Sequence, residues 1–431
     1  MKKLSPYLII ILSFLTIIVI GSILLALPMA TKTNESLTFI DSFFIATSAV
    51  TITGLSPITN LSVVLSPFGK VTLAILIQVG GLSVVTLSVF ILILLGAKIG
   101  ISNRLLIKES LNQNHLSGLV RLVIKIVLFT FAVELLGFII NLFVFLPEYD
   151  TKTALGLSAF HAISSFNNAG FDLFGPLSMQ FYQNHLLLNM NTSILIMLGG
   201  LGFIVIDELF EKKSLRKLSL HSKVVLLMNL CLWTFGLLLF KLSETSFTWI
   251  QAFFMSVSAR TAGFSTINMQ TISSFSTLIF MILMFIGASP SSTGGGVKTT
   301  TIFVMFSNLF SFAKGKQPTA FKRFIGEETR YRAATLVFTA LLIIVVATLL
   351  LLHFNATSLE TALLETTSAF ANVGLSKGLT FSLASGSKIT LIVVMFIGRV
   401  GPLTVLSLLN RNWYKKELYH IKYIEEKMII G

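Results

Sequence analysis

The chain is short of charge. Asp, Glu, Lys and Arg make up 12% of its 431 residues, while 54% are hydrophobic. Soluble domains carry about a quarter charged residues, so that class is excluded. Cysteine is nearly absent: Cys231 stands alone in an apolar run, so an internal disulfide and a thiolate metal centre are both excluded. The histidines (His115, His161, His185, His221, His353, His420) are scattered and form no HExxH-type pair. Acid is scarce as well. Eighteen Asp and Glu face 32 Lys and Arg, a net charge of +14. Such a surplus points to nucleic acid or to an anionic membrane. Lys and Arg clustered in cytoplasmic loops account for it without a nucleic-acid partner. No His, Asp and Glu cluster in one plane, which sets aside an enzyme.

What the chain has is long apolar runs. They fall near 7–27, 68–95, 121–146, 187–206, 222–240, 276–312, 333–352 and 387–409. A membrane-spanning helix needs about 20 such residues. The first run resembles a signal peptide but exceeds the usual apolar core of about 7–15 residues, so it is read as a retained helix. Basic residues sort the connections. Lys2 and Lys3, then Lys98 to Lys125, Lys212 to Lys223, Lys314 to Arg332, and Arg411 onward mark one side; Glu35, Asp41, Glu148, Asp150, Asp172, Glu244 and Glu360 mark the other. Both termini are therefore expected in the cytoplasm of a plasma-membrane protein.

The acidic-side connections repeat a pattern. SFFIATSAVTITGLS, SAFHAISSFNNAGFD, AFFMSVSARTAGFST and ALLETTSAFANVGLS each end a Ser/Thr-rich segment at a glycine: Gly54, Gly170, Gly263 and Gly374. Internal repetition is settled before any fold is assigned. Each segment is about 11–14 residues, roughly 16–21 Å of helix, enough to reach halfway through a bilayer. The following runs share glycines at Gly81, Gly200, Gly295 and Gly401. The expected fold is an all-α polytopic membrane protein of four M1–pore helix–M2 repeats around one pseudo-fourfold pore. The repeats span 1–100, 101–215, 216–318 and 319–410, with a cytoplasmic tail at 411–431.

One such glycine is ordinary helix packing. Four at equivalent places converge most simply on a shared axis, where carbonyls can replace an ion's hydration shell. The partly negative helix C-termini favour a cation. No Asp or Glu ring lines the turns, which suits a dehydrated monovalent cation held by the carbonyls of Thr53, Gly54, Ala169, Gly170, Ala262, Gly263, Val373 and Gly374. Asn167, Asn168, Arg260 and Asn372 adjoin these turns. They read as hydrogen-bonding supports, with Arg260 pointing behind its loop, because it would repel cations on the axis.

Two features lie deeper. GASPSSTGGGVKTTT (Gly287 to Thr301) interrupts the sixth run with loose, polar backbone. It is a near miss for GxxxxGK[ST], since Val297 precedes Lys298, and no nucleotide site is assigned. Arg399 sits within MFIGRVGPLT. A mid-membrane arginine costs about 2.5–3.5 kcal/mol on insertion scales and needs an interior partner or water. Two placements stay open: an ion pair with Glu134, or a fixed barrier on the axis. Only this third inner helix is expected to break. Its loop, with Gly287, Ser289, Ser291, Ser292, Gly294, Gly295, Gly296 and Lys298, would form a gate whose carbonyls and serine hydroxyls meet Arg399.

The SARTAGF, FNNAGF and GASPSSTGGGVKTTT stretches resemble the Trk/Ktr/HKT superfamily of potassium transporters, over nearly the whole chain. The resemblance implies potassium uptake through a gated pore, with Gly54 rather than serine excluding sodium from the filter. It also implies a homodimer on a cytoplasmic nucleotide-binding RCK ring, an octamer. The longest basic loop is only about 30 residues, short of a domain. The ring would be a separate chain of the KtrA or KtrC kind, which alone would bind ATP or ADP. No covalent cofactor is expected; potassium is cargo, and sodium activation is left open. A secondary transporter for an organic solute is the other reading, since such folds place sites on broken helices.

Overall fold

The computed structural model describes residues 5–33, 36–97, 99–111 and 117–409. Lys2, Lys3, Glu35, Lys98, His115 and the 411–431 tail lie outside the described residues. Four continuous helices are long and apolar enough to cross a membrane: Pro6–Ala26, Leu119–Phe145, Leu220–Ser243 and Glu327–Phe354. Their outward faces carry large apolar side chains such as Phe143, Leu242 and Phe338, all more than two-thirds exposed. Lipid is the solvent that such surfaces require.

Each long helix is followed by a short one: Phe39–Val50, Thr151–Phe166, Trp249–Ser258 and Leu359–Ala371. All four start at a side-chain cap that takes an orphan backbone N–H. Thr38 accepts from Asp41, Asp150 from Thr153, Thr248 from Gln251 and Ser358 from Thr361. At 10 to 16 residues these helices are too short to span. Each ends in a tight glycine turn, and an inner helix then leads away: Pro67–Leu82, Leu186–Leu201, Ser274–Phe285 and Ser385–Val400.

All four inner helices break, which corrects the expectation of a single break. The first bends by 96° between Pro67–Leu82 and Val84–Leu94, the second by 92° between Leu186–Leu201 and Phe203–Lys212. The fourth stops at Gly401 and resumes at Pro402–Leu409. The third is interrupted by residues 286–298 before Thr299–Ala313. The cause is local. Ser83, Gly202 and Gly401 have φ of 69°, 97° and 94°, a left-handed geometry that ends an α-helix.

The breaks also correct a register. Gly80, Gly199 and Gly398 each lie three residues before their break, and each passes under a backbone carbonyl: Val50, Phe166 and Phe370. Arg399, not Gly401, is therefore the counterpart of Gly81 and Gly200. A Cβ at Gly398 would overlap the Phe370 carbonyl, which is helix backbone and cannot turn aside. Gly398→Ala should destabilise the protein by about 1–3 kcal/mol and lower its melting temperature in detergent. Gly100→Ala, with nothing within 4 Å, should leave melting nearly unchanged; equal effects would refute the close-packing account.

Candidate functional site

The four glycine turns meet one another. Gly54, Gly170, Gly263 and Gly374 have φ of 90°, 70°, 77° and 98°, a region that favours glycine. A Cβ on Gly54 would stand 2.6 Å from the Ala169 carbonyl oxygen, and one on Gly170 2.5 Å from that of Ala262. On Gly263 it would overlap the Val373 carbonyl, and on Gly374 the Thr53 carbonyl, which closes the circuit. The carbonyls of Thr53, Ala169, Ala262 and Val373 thus each approach the neighbouring turn's glycine. The four glycines also line one cavity of about 240 Å³. Asp172 is in its wall, and burial pushes that carboxyl up to about 6 against the hydrogen bonds from Ser178 and the Phe174 N–H.

Serines that no sequence motif singled out hold these turns. The Thr53, Ala169 and Val373 amides reach back to the carbonyls of Ser48, Ser164 and Ser368, and the Gly263 amide to that of Ser258. The Ser164 hydroxyl donates to Phe171 O at 2.6 Å and the Ser258 hydroxyl to Phe264 O at 2.5 Å, while Ser368 Oγ accepts from Gly374 N at 3.0 Å. The signal was present in SAVTITG, SSFNNAG and SAFANVG, each a serine six residues before its glycine; SARTAG is one residue shorter. The longer turns spend their extra residue in left-handed geometry, at Ile52, Asn168 and Asn372. The third turn has no such residue.

The four predicted support residues have these partners. Asn372 donates to Thr53 Oγ1 and to Met395 O, both at 2.9 Å, tying the fourth turn to the first. Asn167 donates to Glu134 and Gln78, at 2.9 and 3.0 Å. Asn168 is oriented so that its amide oxygen accepts from Thr261 and its nitrogen donates to Ser165 and Ile196 carbonyls. Arg260 donates to Asn229 Oδ1 at 2.5 Å and to Gly287 O at 2.9 Å, with its guanidinium 5.7 Å from the Trp233 ring centre. It joins the third turn to the root of the 287–298 loop.

That loop docks into the break of the second inner helix. Ser289 and Thr293 amides donate to Gly200 and Gly199 carbonyls, each at 3.1 Å, and Phe203 N donates to Ser291 O at 2.9 Å. Gly287 and Ala288 amides pair back to Val297 and Gly295, and Lys298 Nζ donates to Gly294 O at 2.7 Å. Gly295 lies against the Asn372 side chain and Gly296 against Gly287.

Arg399 forms no ion pair with Glu134, whose carboxylate is held by Asn167 and Gln78. Nor does it meet the serine hydroxyls: Ser289 Oγ accepts from Asn229, Ser291 Oγ donates to Leu111 O and Ser292 Oγ to Ser289 O. The ion pair and the hydroxyl contacts are corrected; the expected contact with the loop's carbonyls is present. Arg399 donates to the Thr293 carbonyl, and also to the carbonyls of Gly80 and Gly81. For Gly80 and Gly81 the reason is the break at Ser83, which takes away the last turn's i+4 donors and leaves Gly80 O only a long 3.4 Å bond from Ser83 N. The guanidinium therefore bridges the first and third inner helices, whose turns are not neighbours in the ring. With Lys298, Ser291, Ser292, Gly294 and Gly296 it lines a second cavity of about 940 Å³. Among the described residues, no group of three His, Cys, Asp or Glu could hold a metal ion.

A chain of long apolar helices with half-helices and broken helices meeting at a polar centre defines a multi-pass membrane transport protein. The sequence matches the TrkH cation transport protein family over residues 3–250 and 235–412, and the chain belongs to that family, whose members are transporters and not enzymes. It is 37% identical to the Ktr system potassium uptake protein B of Vibrio alginolyticus, over 98% of this chain and 94% of the relative. It is also 37% identical to the potassium/sodium uptake protein NtpJ of Enterococcus hirae, over 100% and 98%. The Bacillus subtilis Ktr system potassium uptake protein B is 33% identical, over 100% and 97%. The crystal structure of the potassium transporter TrkH from Vibrio parahaemolyticus shares the fold, with a TM-score of 0.75 at 19% identity over 96% of this chain and 87% of that one.

Asn372→Leu removes both amide bonds at the fourth turn. Thr53 Oγ1 keeps Thr51 as a partner, so the change should cost about 0.5–1.5 kcal/mol for each bond lost and lower the melting temperature. An unchanged melting curve would show that the turn stands without this side chain.

Proposed function

We propose that the chain takes up potassium through a selective, gated pore, with the glycine ring as its filter. The observation that carries this reading is the closed circuit of Gly54, Gly170, Gly263 and Gly374 with the carbonyls before them. Carbonyl oxygens can substitute for an ion's hydration shell, and the ring contains no carboxylate to favour a divalent ion. The names of the similar proteins, potassium uptake proteins of Ktr systems and a potassium/sodium uptake protein, agree with it. In this reading the basic loops face the cytoplasm, which supports a cytoplasmic side for the 940 Å³ cavity and an outer side for the ring's cavity.

In this mechanism the ion sheds water at the ring and then meets Arg399. The guanidinium and the 287–298 loop close the path, because a fixed positive charge opposes a cation. Opening requires Arg399 to leave the carbonyls of Thr293, Gly80 and Gly81. A homodimer and a separate cytoplasmic RCK ring that binds ATP or ADP would supply the control; sodium would act as an activator rather than as cargo. Broken inner helices also fit a carrier of organic solutes. Solute uptake without any cation conductance would favour that reading.

Expression in cells deficient in potassium uptake should restore growth at low potassium; no rescue by folded, membrane-inserted protein, with or without a co-expressed RCK subunit, would overturn the proposal. Gly54→Ser should raise sodium permeation relative to potassium, read as competing tracer uptake, and unchanged selectivity would remove Gly54 from the filter. Deleting Ser289 to Gly294 should raise potassium flux and weaken its dependence on the regulatory subunit. Unchanged flux through a folded deletion protein would make the loop mere packing.

A further inference from the structure

The 240 Å³ cavity that the four ring glycines line has one charged residue in its wall among the described residues, Asp172. The sequence puts it there. Asp172 follows Gly170 by two residues, so its backbone stands within about 7 Å of the ring. The residue is half-buried. Its Oδ1 accepts from Phe174 N at 3.2 Å and its Oδ2 from the Ser178 hydroxyl at 2.5 Å. Ser178 takes a left-handed φ of 50°, and its Oγ also accepts from Ser265 N at 3.4 Å, next to the third turn.

Nothing neutralises this carboxylate. No ion pair reaches it among the described residues. The wall segments from the first and third turns bring only neutral polar groups, among them Asn268 and Gln270. On the fourth, Lys377 is committed to Glu360 at 2.5 Å, and beyond it Lys388 to Asp41 at 2.6 Å. On the second, Tyr182 donates to Glu148 at 2.6 Å, and His185 Nδ1 accepts from Leu188 N. His161, whose ring packs 5.0 Å from that of Phe174, is bonded to the Thr192 hydroxyl. The two hydrogen bonds to Asp172 do not call for a charge either, because an asparagine closes the same turn. A lone carboxylate in a concave mouth does something an asparagine cannot: it raises the local concentration of cations.

We propose that Asp172 is the capture residue of the outer cavity: its carboxylate draws the hydrated potassium ion to the mouth of the ring and so sets the apparent affinity of uptake, while the ring carbonyls set selectivity. The inference rests on the reading of the ring as a potassium filter. A fixed charge a few ångströms from an ion changes its occupancy several-fold, and it attracts every small cation alike, so it acts on affinity and not on discrimination. The charge is also conditional. Burial pushes the carboxyl up to about 6, so the charge is present above about pH 6 and is lost as the outer medium falls through that value. In acid the wild type should behave like a chain with a neutral residue at this position.

The test is initial potassium uptake into potassium-depleted cells that lack their own uptake and express the full-length chain with an RCK subunit. KM and maximal rate are read over external potassium, with choline chloride setting ionic strength. Asp172→Asn should raise KM several-fold and leave the maximal rate and the potassium-to-sodium ratio unchanged. Wild-type KM should rise with added choline chloride, which screens the charge, and again as the medium is taken from about pH 7 to about pH 5. Asp172→Asn should be flat in both, and Asp172→Glu should keep the salt dependence. An unchanged KM in folded Asp172→Asn would overturn the proposal. So would a wild-type KM indifferent to both salt and acid, a result that needs no variant. A lower maximal rate at unchanged KM would overturn it too, leaving Asp172 as a tie within its loop. Absent uptake by the wild type would overturn the transport reading and this inference together, whereas uptake with an indifferent KM would overturn this inference alone.

Discussion

Backbone that ends inside a bilayer must find its hydrogen-bond partners within the protein. This chain stops helices there eight times, at four half-helix ends and four inner-helix breaks, and the rest of the centre follows from how those ends are satisfied. The half-helix ends turn back on their own serine carbonyls. The inner-helix breaks are filled from elsewhere: the 287–298 loop supplies Ser289, Ser291 and Thr293 backbone to the second break, and Arg399 supplies its guanidinium to the first. The proposed gate would thus consist of the groups that repair the broken helices.

The same economy explains two arginines, Arg260 buried and Arg399 half-buried, with no carboxylate partner among the described residues. Arg260 and Arg399 both bind backbone carbonyls, Arg260 that of Gly287 at the root of the loop, Arg399 that of Thr293 within the loop and those of Gly80 and Gly81 in the last turn of the first inner helix. A guanidinium presents a planar fork of donors and stays charged when buried, so one side chain can hold several elements at once. Arg260 sits behind the ring and joins turn to loop. Arg399 lies across the ring's diagonal, and in the proposed mechanism its charge is the barrier. The residue types match; placement relative to the axis separates a strut from a gate.

Much of this was legible in the sequence. The four glycines, the half-length segments before them and the break at GASPSSTGGGVKTTT follow from composition and spacing alone. Three things did not. The breaks at Ser83, Gly202 and Gly401 were missed because QVGGLSVV and MLGGLGFI read equally well as continuous packed helix, and the left-handed residue comes just after the glycine pair. With the breaks went the carbonyls of Gly80 and Gly81, so Arg399 was matched to Glu134 or to the carbonyls and serine hydroxyls of the 287–298 loop, of which it meets the Thr293 carbonyl. The ring-holding serines were lost in segments already rich in Ser and Thr. Their spacing from the glycine was regular in the first, second and fourth turns and one residue short in the third.

The central claim is that backbone carbonyls at the four glycine turns select the ion. Rubidium-tracer flux into liposomes containing the purified protein, with unlabelled competitors at equal concentration, tests it most directly. Potassium should suppress tracer flux strongly, while sodium and lithium should leave it nearly intact. Equal suppression by all three ions would contradict a carbonyl ring that discriminates among dehydrated cations.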